Sequence, residues 1–451
     1  MALITSDDNY NAESRYLEQK VVIYFPGITP LEITRDNYLV STSLLEEAHS
    51  ANGSAPFGGV TSNEFNMDLI NENGIFSPTN KNSPYFGKMR RGVKIEVLIR
   101  PIVETDNEEE QYEWDPMGTF YITDWNATVT GLIATVTCND QLYDVFTGDV
   151  LQYQIRKDIT QYAFYQDIFD MLHLKAQIDK SLKEALKYAY VVDKVKDLLV
   201  RLGIGSMADC FCGHDGGIRV AHLLADRPLR ATITDGDQII SAKVEQSLIS
   251  GYDGVSVICN IPQEGKMVNI LSLTELEMPT GIVTTKNVAL LKKPLMRLGY
   301  LKLTGAQGIS IVDAVATPST ITYTLNNVNK EAILGKLDAF GTFIETNKVP
   351  IADEGNNILS VDNIYIQTQE YAQRFYNHLK AYNNNILPVL EIVVRGNPKL
   401  ELCDKIRAIS AKYNLDYTGL LISQEFNYDG GLSSKITLLN IDILKEASHG
   451  V

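Results

Sequence analysis

Cysteine and tryptophan are scarce in this chain, and so are long apolar runs and basic charge. Its five cysteines, Cys138, Cys210, Cys212, Cys259 and Cys403, are odd in number and scattered over 451 residues. That excludes a disulfide framework and fits a reducing site of synthesis. No stretch approaches the ~18–20 consecutive apolar residues of a membrane-spanning helix. The start, Met1-Ala-Leu-Ile-Thr-Ser-Asp-Asp8, has neither a basic region nor an apolar core, so no signal peptide is expected and the chain reads as made in a cytoplasm. Forty basic residues stand against 56 acidic ones, a net charge of −16. Nucleic-acid binding rests mainly on Lys and Arg neutralising phosphates, so the overall charge argues against it and leaves room only for a local basic patch.

Catalytic signatures are missing too. There is no GxSxG elbow, no HExxH helix and no HxE…PCxxC deaminase pattern. The abundance of carboxylates makes Asp/Glu pairs unavoidable, so spacing singles out no glycosidase pair. Gly203-Ile-Gly205-Ser-Met-Ala208 spells the dinucleotide fingerprint GxGxxA, which needs a strand before it. A helical pattern precedes it instead, and Gly203 reads as a helix C-cap. Gly53-Ser-Ala-Pro-Phe-Gly58-Gly59 has two glycines of a phosphate loop, but Gly59 and Val60 stand where Lys and Ser/Thr belong, and the segment reads as a flexible loop. Cys210-Phe-Cys212-Gly-His214, with His222 beyond, offers four zinc-competent side chains. One residue between the cysteines, rather than the usual two to four, strains joint chelation, so both read as small buried apolar residues. No catalytic, metal or cofactor residue is assigned, and no enzyme activity is expected.

What the chain does contain is strand periodicity. Phe65, Met67 and Leu69 alternate with polar residues, as do Val93, Ile95, Val97 and Ile99. Further strands are expected at 21–25, 31–35, 119–125 and 132–139, separated by Asn73-Gly74, Ser77-Pro78 and Thr130-Gly131. The acidic run from Glu104 to Glu110 is expected to be a solvated hairpin loop. The period then lengthens. Phe164, Ile168, Met171 and Leu172 fit a helix face, and Ile178, Leu182, Leu186, Ala189, Val192, Val195, Leu199 and Leu202 continue at steps of three and four. Short strands such as 255–258 and 321–325 follow. A helix is expected over 367–383, with Tyr371, Phe375, Leu379 and Tyr382 on one face. Asp429-Gly-Gly431 marks a hairpin near the end, within some five strands suited to a small barrel.

The expected fold is therefore α+β and β-dominated. Small N-terminal and C-terminal β-barrel domains (1–155 and 388–446) enclose a helical insertion (156–235) and a mixed α/β middle domain (236–387).

Several phrases resemble the tail-tip and baseplate hub proteins of long-tailed bacteriophages. They are the segment from Gly59 to Pro78, and Asn82-Ser-Pro-Tyr-Phe-Gly-Lys-Met-Arg-Arg-Gly-Val-Lys-Ile95, similar to the family's "SPYYGKL…GVKI". Met117-Gly-Thr-Phe-Tyr-Ile-Thr-Asp-Trp125 is similar to "LGTFYV", and Cys138-Asn-Asp140 falls where the family has a "YD" pair. Arg395-Gly-Asn-Pro-Lys-Leu-Glu-Leu-Cys-Asp404 resembles the turn "GNPxLExGD", with Cys403 in place of its last glycine. The resemblance covers about the first 145 and last 65 residues. It implies a virion structural protein of the tail tip, a homotrimer forming a pseudo-sixfold ring. Its implied partners are the tail tube or distal tail protein, the tape measure protein and tail spike or fibre proteins, with genomic DNA passing unbound through the bore. An acidic bore suits such passage, because like charge keeps phosphates from sticking. The alternatives are a tail protein that binds a host glycan, which calls for a groove lined by exposed aromatics, and a peptidoglycan-cleaving tail enzyme.

Overall fold

The computed structural model describes residues 10, 16–48, 58–104, 109–111, 113–127, 131–235, 239–246, 252–384 and 388–440. Positions 53–57, Thr130 and the centre of the acidic run (105–108) lie outside these residues.

The N-terminal strands are β1 (Tyr16–Ile23), β2 (Leu31–Ile33), β3 (Leu39–Glu47), β4 (Glu64–Ile70), β5 (Lys94–Glu104), β6 (Glu109–Gln111), β7 (Asp115–Ala127) and β8 (Ile133–Asn139). Their alternating pattern buries Phe65, Met67, Leu69, Ile95, Val97 and Ile99 on one face, as the period predicts. Glu104 pairs with Glu109, so the acidic run does join two strands of a hairpin.

The segment that follows departs from its expected helical reading. It holds α1 (Gln141–Val145), β9 (Arg156–Thr160), α2 (Gln161–Met171), β10 (Ala176–Ile178), β11 (Ala185–Ala189), α3 (Val195–Ser206), β12 (Ala208–Cys212) and β13 (Ile218–His222). Only the ends of the expected helical run are helical. Ile178 lies on β10, while on β11 Leu186 and Tyr188 are buried between exposed Ala185 and Lys187, a period of two. Steps of three and four were compatible with either element over so short a stretch. In α2 Phe164 and Ile168 are buried but Met171 is 38% exposed, because Tyr165 and Phe169 fill the inner face instead.

The strands β14 (Leu229–Thr234) and β15 (Ile239–Gln246) come next. A distal module follows, made of β16 (Gly254–Met278), β17 (Gly281–Ala289), β18 (Leu295–Thr304), β19 (Ile309–Ala316), β20 (Thr320–Asn327), β21 (Ile333–Ala352) and β22 (Ile358–Asp362). Two small sheets, β18-β21-β16-β22 and β17-β20-β19, face each other across Ile270, Leu325 and Leu337. The helix α4 (Gln369–Asn384) buries Tyr371, Phe375, Leu379 and Tyr382, the face its spacing predicts, against Val255, Val257 and Leu359. Thr368 Oγ1 accepts the backbone N–H of Tyr371 at 3.2 Å and caps the helix.

The last strands are β23 (Pro388–Arg395), β24 (Lys405–Ser410), β25 (Leu415–Tyr428) and β26 (Leu432–Leu439), with the expected hairpin at Asp429-Gly-Gly431. Among the described residues they do not close into a barrel of their own, and the N-terminal strands do not either. All belong to one 14-stranded sheet running β15-β23-β26-β25-β3-β4-β8-β7-β5-β1-β2, with β24 carrying β14 beside β25, and β6 beside β5. The reason is the length of β25. Its first half, Leu415–Leu420, pairs with β24; a bulge follows between Leu421 and Ser423; its second half pairs with β3. A strand that changes partner at a bulge passes its edge to another sheet segment instead of closing its own. Both strands flanking residue 235 also join the C-terminal block, β14 beside β24 and β15 beside β23.

Candidate functional site

The two ends of the chain meet where β25 pairs with β3, from Ser423 opposite Glu47 to Tyr428 opposite Thr42. On the inner face Phe426 and Tyr428 join the N-terminal core. The Tyr428 hydroxyl donates to the Leu17 carbonyl at 3.0 Å, bridging 411 positions of sequence. Thr42 Oγ1 donates to Gln19 Oε1 at 2.7 Å.

One buried ion pair lies at this seam. Glu46 Oε2 is 3.0 Å from His214 Nε2, with the two side chains 2% and 5% exposed. His214 is delivered by the tight turn between β12 and β13, where Gly216 adopts φ +75° and donates to the Gly213 carbonyl at 2.9 Å. The imidazole packs 6.3 Å from the Phe426 ring. Burial opposes its charge, yet the facing Glu46 carboxylate and its hydrogen bond, helped by Glu401 and the Pro398 backbone, outweigh burial and push the pKa up to about 9. At neutral pH His214 is thus an imidazolium. The pair ties three parts of the chain together: Glu46 from β3, His214 from the segment between the two sheet blocks, and Phe426 from the C-terminal hairpin.

The zinc-competent residues are not gathered. Cys210 and Cys212 are buried on β12, and burial raises both thiols well above the ordinary range, which favours the neutral form over the thiolate a metal needs. His214 is turned to Glu46, and His222 Nδ1 lies 2.8 Å from Ser181 Oγ. Among the described residues no three His, Cys, Asp or Glu side chains are placed to hold an ion. Asp140 caps α1 and is held by Asn63 N (2.7 Å), Ser62 Oγ (2.9 Å) and Leu142 N (2.9 Å). Burial nevertheless raises its carboxyl to about 6.

The expected C-cap at Gly203 is corrected. The helix α3 runs on to Ser206, and Met207 supplies the left-handed cap at φ 50°. Gly203 sits inside the helix because Gly58 lies against its backbone: a Cβ on Gly58 would fall 2.2 Å from Ile204 N. The chain then continues into a bridge beside β12, with Gly59 N donating to Asp209 Oδ1 at 2.6 Å and Thr61 N to the Cys210 carbonyl at 3.1 Å. In the C-terminal turn, Cys403 adopts φ +66°, the conformation that favours the glycine it replaces in the resembling phrase. Cys403 borders a cleft of about 350 Å³, where Arg219, Arg227 and Arg230 meet Asp179, Glu401 and Asp404. Arg219 pairs with Glu401 at 3.9 Å, Arg227 with Asp179 at 3.4 Å and Arg230 with Asp404 at 3.7 Å, and Lys405 also lines the cleft, so the arrangement is a cluster of ion pairs.

The solvent face of the seam is a largely polar surface across the four strands β25, β3, β4 and β8. Cross-strand neighbours run Asn427–Ser43–Asn66–Thr137 in one row and Glu425–Leu45–Glu64–Asn139 in the next. Thr137 Oγ1 donates to Asn66 Oδ1 at 2.7 Å, and Thr135 Oγ1 to Asp68 Oδ1 at 2.8 Å. Ser43, Asn66, Asp68, Thr135 and Asn427 line a shallow groove of about 500 Å³. The exposed aromatics Tyr16, Phe86, Tyr143 and Tyr300 line neither it nor the ion-cluster cleft. Sequence reasoning did not find the Glu46–His214 pair. Its members are 168 positions apart, and no local pattern marks a strand glutamate as buried.

No protein-family model and no curated protein matches the chain. Solved structures do. The 43 kDa tail protein of prophage MuSo2 from Shewanella oneidensis aligns with a TM-score of 0.51 at 11% identity, over 94% of this chain and 99% of that one. A tail protein from Neisseria meningitidis MC58 aligns with a TM-score of 0.51, also at 11% identity, over 95% of this chain and 99% of that one. At this identity the likeness is one of fold, and it spans nearly the full length of both partners. The chain has the fold of these tail proteins.

Proposed function

We propose that this chain is a structural subunit of a phage tail, the hub of the tail tip or baseplate. In this reading three copies form a pseudo-sixfold ring that joins the tail tube or distal tail protein to the spike or fibre proteins, meets the tape measure protein, and lets genomic DNA pass. The observation that carries it is the near full-length likeness in fold to two tail proteins. The seam supports it: N-terminal and C-terminal strands share one sheet, so each copy presents two sheet blocks side by side, the arrangement three copies need for six similar units. The charge of −16 suits a channel through which phosphates slide without binding. The glycan-binding alternative calls for an aromatic-lined groove, and among the described residues the exposed Tyr16, Phe86, Tyr143 and Tyr300 line neither the seam groove nor the ion-cluster cleft.

The test is the mass of the purified chain by light scattering across concentration and salt, followed by imaging of the particle. A stable species at three times 50.2 kDa with a ring-shaped projection is the expected result. A monomer that also fails to assemble on isolated tail tubes would overturn the reading.

A further inference from the structure

Charge is distributed very unevenly along this acidic chain. Positions 73–95 hold five basic residues, Lys81, Lys88, Arg90, Arg91 and Lys94, and no acidic one. The rest of the chain has 35 basic against 56 acidic residues, a balance of −21. Much of this segment is an ordered loop between β4 and β5. Tyr85 stacks on Phe76 at 5.5 Å and on Phe25 at 5.0 Å, Met89 is buried, and Ser83 Oγ donates to the Ile75 carbonyl. Successive turns close it, with Phe86 N donating to Ser83 O at 3.1 Å and Lys88 N to Tyr85 O at 3.0 Å. Gly87 and Gly92, at φ +71° and +82°, supply the left-handed corners.

The polar tip is held out to solvent. Lys81, Arg90 and Arg91 are exposed, Phe86 is 43% exposed, and Lys81, Lys88 and Arg90 have no ion-pair partner among the described residues. Arg91 lies 5.4 Å over the exposed Tyr143 ring, with Asp144 at 3.7 Å. Arginine beside exposed aromatic rings, on a loop whose shape is already set, is the composition of a protein interface and lowers the entropy cost of binding.

We propose that this basic loop docks on an acidic surface of a second copy of this chain. The inference rests on the ring reading above and names the contact that would build it. Two copies at −16 each repel, and a basic loop meeting an acidic face turns that repulsion into attraction at the contact. Because loop and face are different patches, the contact is heterologous, the kind that closes rings. Nucleic acid fits less well, since the remaining −21 would repel phosphates around so small a cationic footprint.

The test compares the full chain with the triple variant Lys88→Glu, Arg90→Glu, Arg91→Glu and with Phe86→Ser, by sedimentation at 50 and 500 mM salt. Far-UV circular dichroism checks that each variant is folded. The expected result is self-association of the parent that weakens in high salt, and a loss of at least tenfold in association for the triple variant, with a smaller loss for Phe86→Ser. If parent and both variants associate equally, the loop inference is overturned while the ring reading stands. If the parent stays monomeric under every condition, the loop inference is overturned, and the ring reading falls with it only if the chain also fails to assemble on isolated tail tubes. Loop-dependent binding of a DNA duplex without self-association would also overturn the proposal, in favour of a phosphate partner.

Discussion

Replacing His214 by alanine should lower stability by about 3–5 kcal/mol near pH 7, because it leaves the Glu46 carboxylate buried and uncompensated at the seam. The pH dependence gives an independent magnitude. The imidazole is raised from an ordinary 6.5 to about 9 in the fold. That difference corresponds to about 3 kcal/mol at roughly 1.4 kcal/mol per unit. The sign follows from linkage. A group whose folded pKa is raised contributes fully below its unfolded pKa, and its contribution is lost as pH rises through the folded one. The stabilisation is therefore complete below about pH 6.5 and fades towards pH 9 and above. Urea unfolding followed by far-UV circular dichroism, on parent and His214→Ala at pH 6, 7.5 and 9.5, measures both effects. The gap between the two proteins should be widest at pH 6 and narrow by about 3 kcal/mol at pH 9.5. The double variant Glu46→Leu, His214→Phe should recover much of the loss, since removing both charges leaves neither unpaired. A gap below about 1 kcal/mol at pH 6, or one independent of pH, would refute the claim that this pair carries charge inside the seam.

Three further outcomes are expected. Gly58→Ala places a Cβ 2.2 Å from the Ile204 backbone at φ +81°, whereas Gly27→Ala, at φ +75°, meets nothing within 4 Å. Thermal unfolding should show the first losing several kcal/mol through overpacking and the second only about 1 kcal/mol of backbone strain; equal losses would contradict the close approach. Titration with a thiol reagent should label none of the five cysteines in the native chain and all five in denaturant, since every one is buried and burial raises its thiol pKa. Phe375→Ala, which empties the fully buried centre of the α4 face, should cost about 3–5 kcal/mol in urea unfolding, and a cost under 1 kcal/mol would mean that α4 is not packed as described.

Much of the local structure was legible in the residues themselves. Strict alternation at Phe65–Leu69 and Val93–Ile99 marked strands with one buried face, and both strands form there. The stretch 367–383, with Tyr371, Phe375, Leu379 and Tyr382 on one face, marked a helix that forms over Gln369–Asn384, and Asp429-Gly-Gly431 marked a hairpin. Each of these signals is complete within a few turns or a few strand residues, so the neighbours that decide the outcome are close in sequence. Where the window was short or the pattern mixed, as from Ile178 to Ala189, periods of two and 3.6 were both compatible with the same apolar residues.

What the sequence determined alone is therefore the β-dominated character, the α4 face, the hairpin at Asp429-Gly-Gly431, the acidic balance and the scarcity of thiols. Tertiary structure decided that the first and last strands form one sheet instead of two barrels. It also buried Glu46 against His214, set Gly58 on the α3 backbone and placed Cys403 in a left-handed turn. The physical reason is the same in each case. A strand edge, a carboxylate and a glycine state only what they are able to pair with, and the partner, 168 or 380 positions away, is chosen when the chain closes on itself.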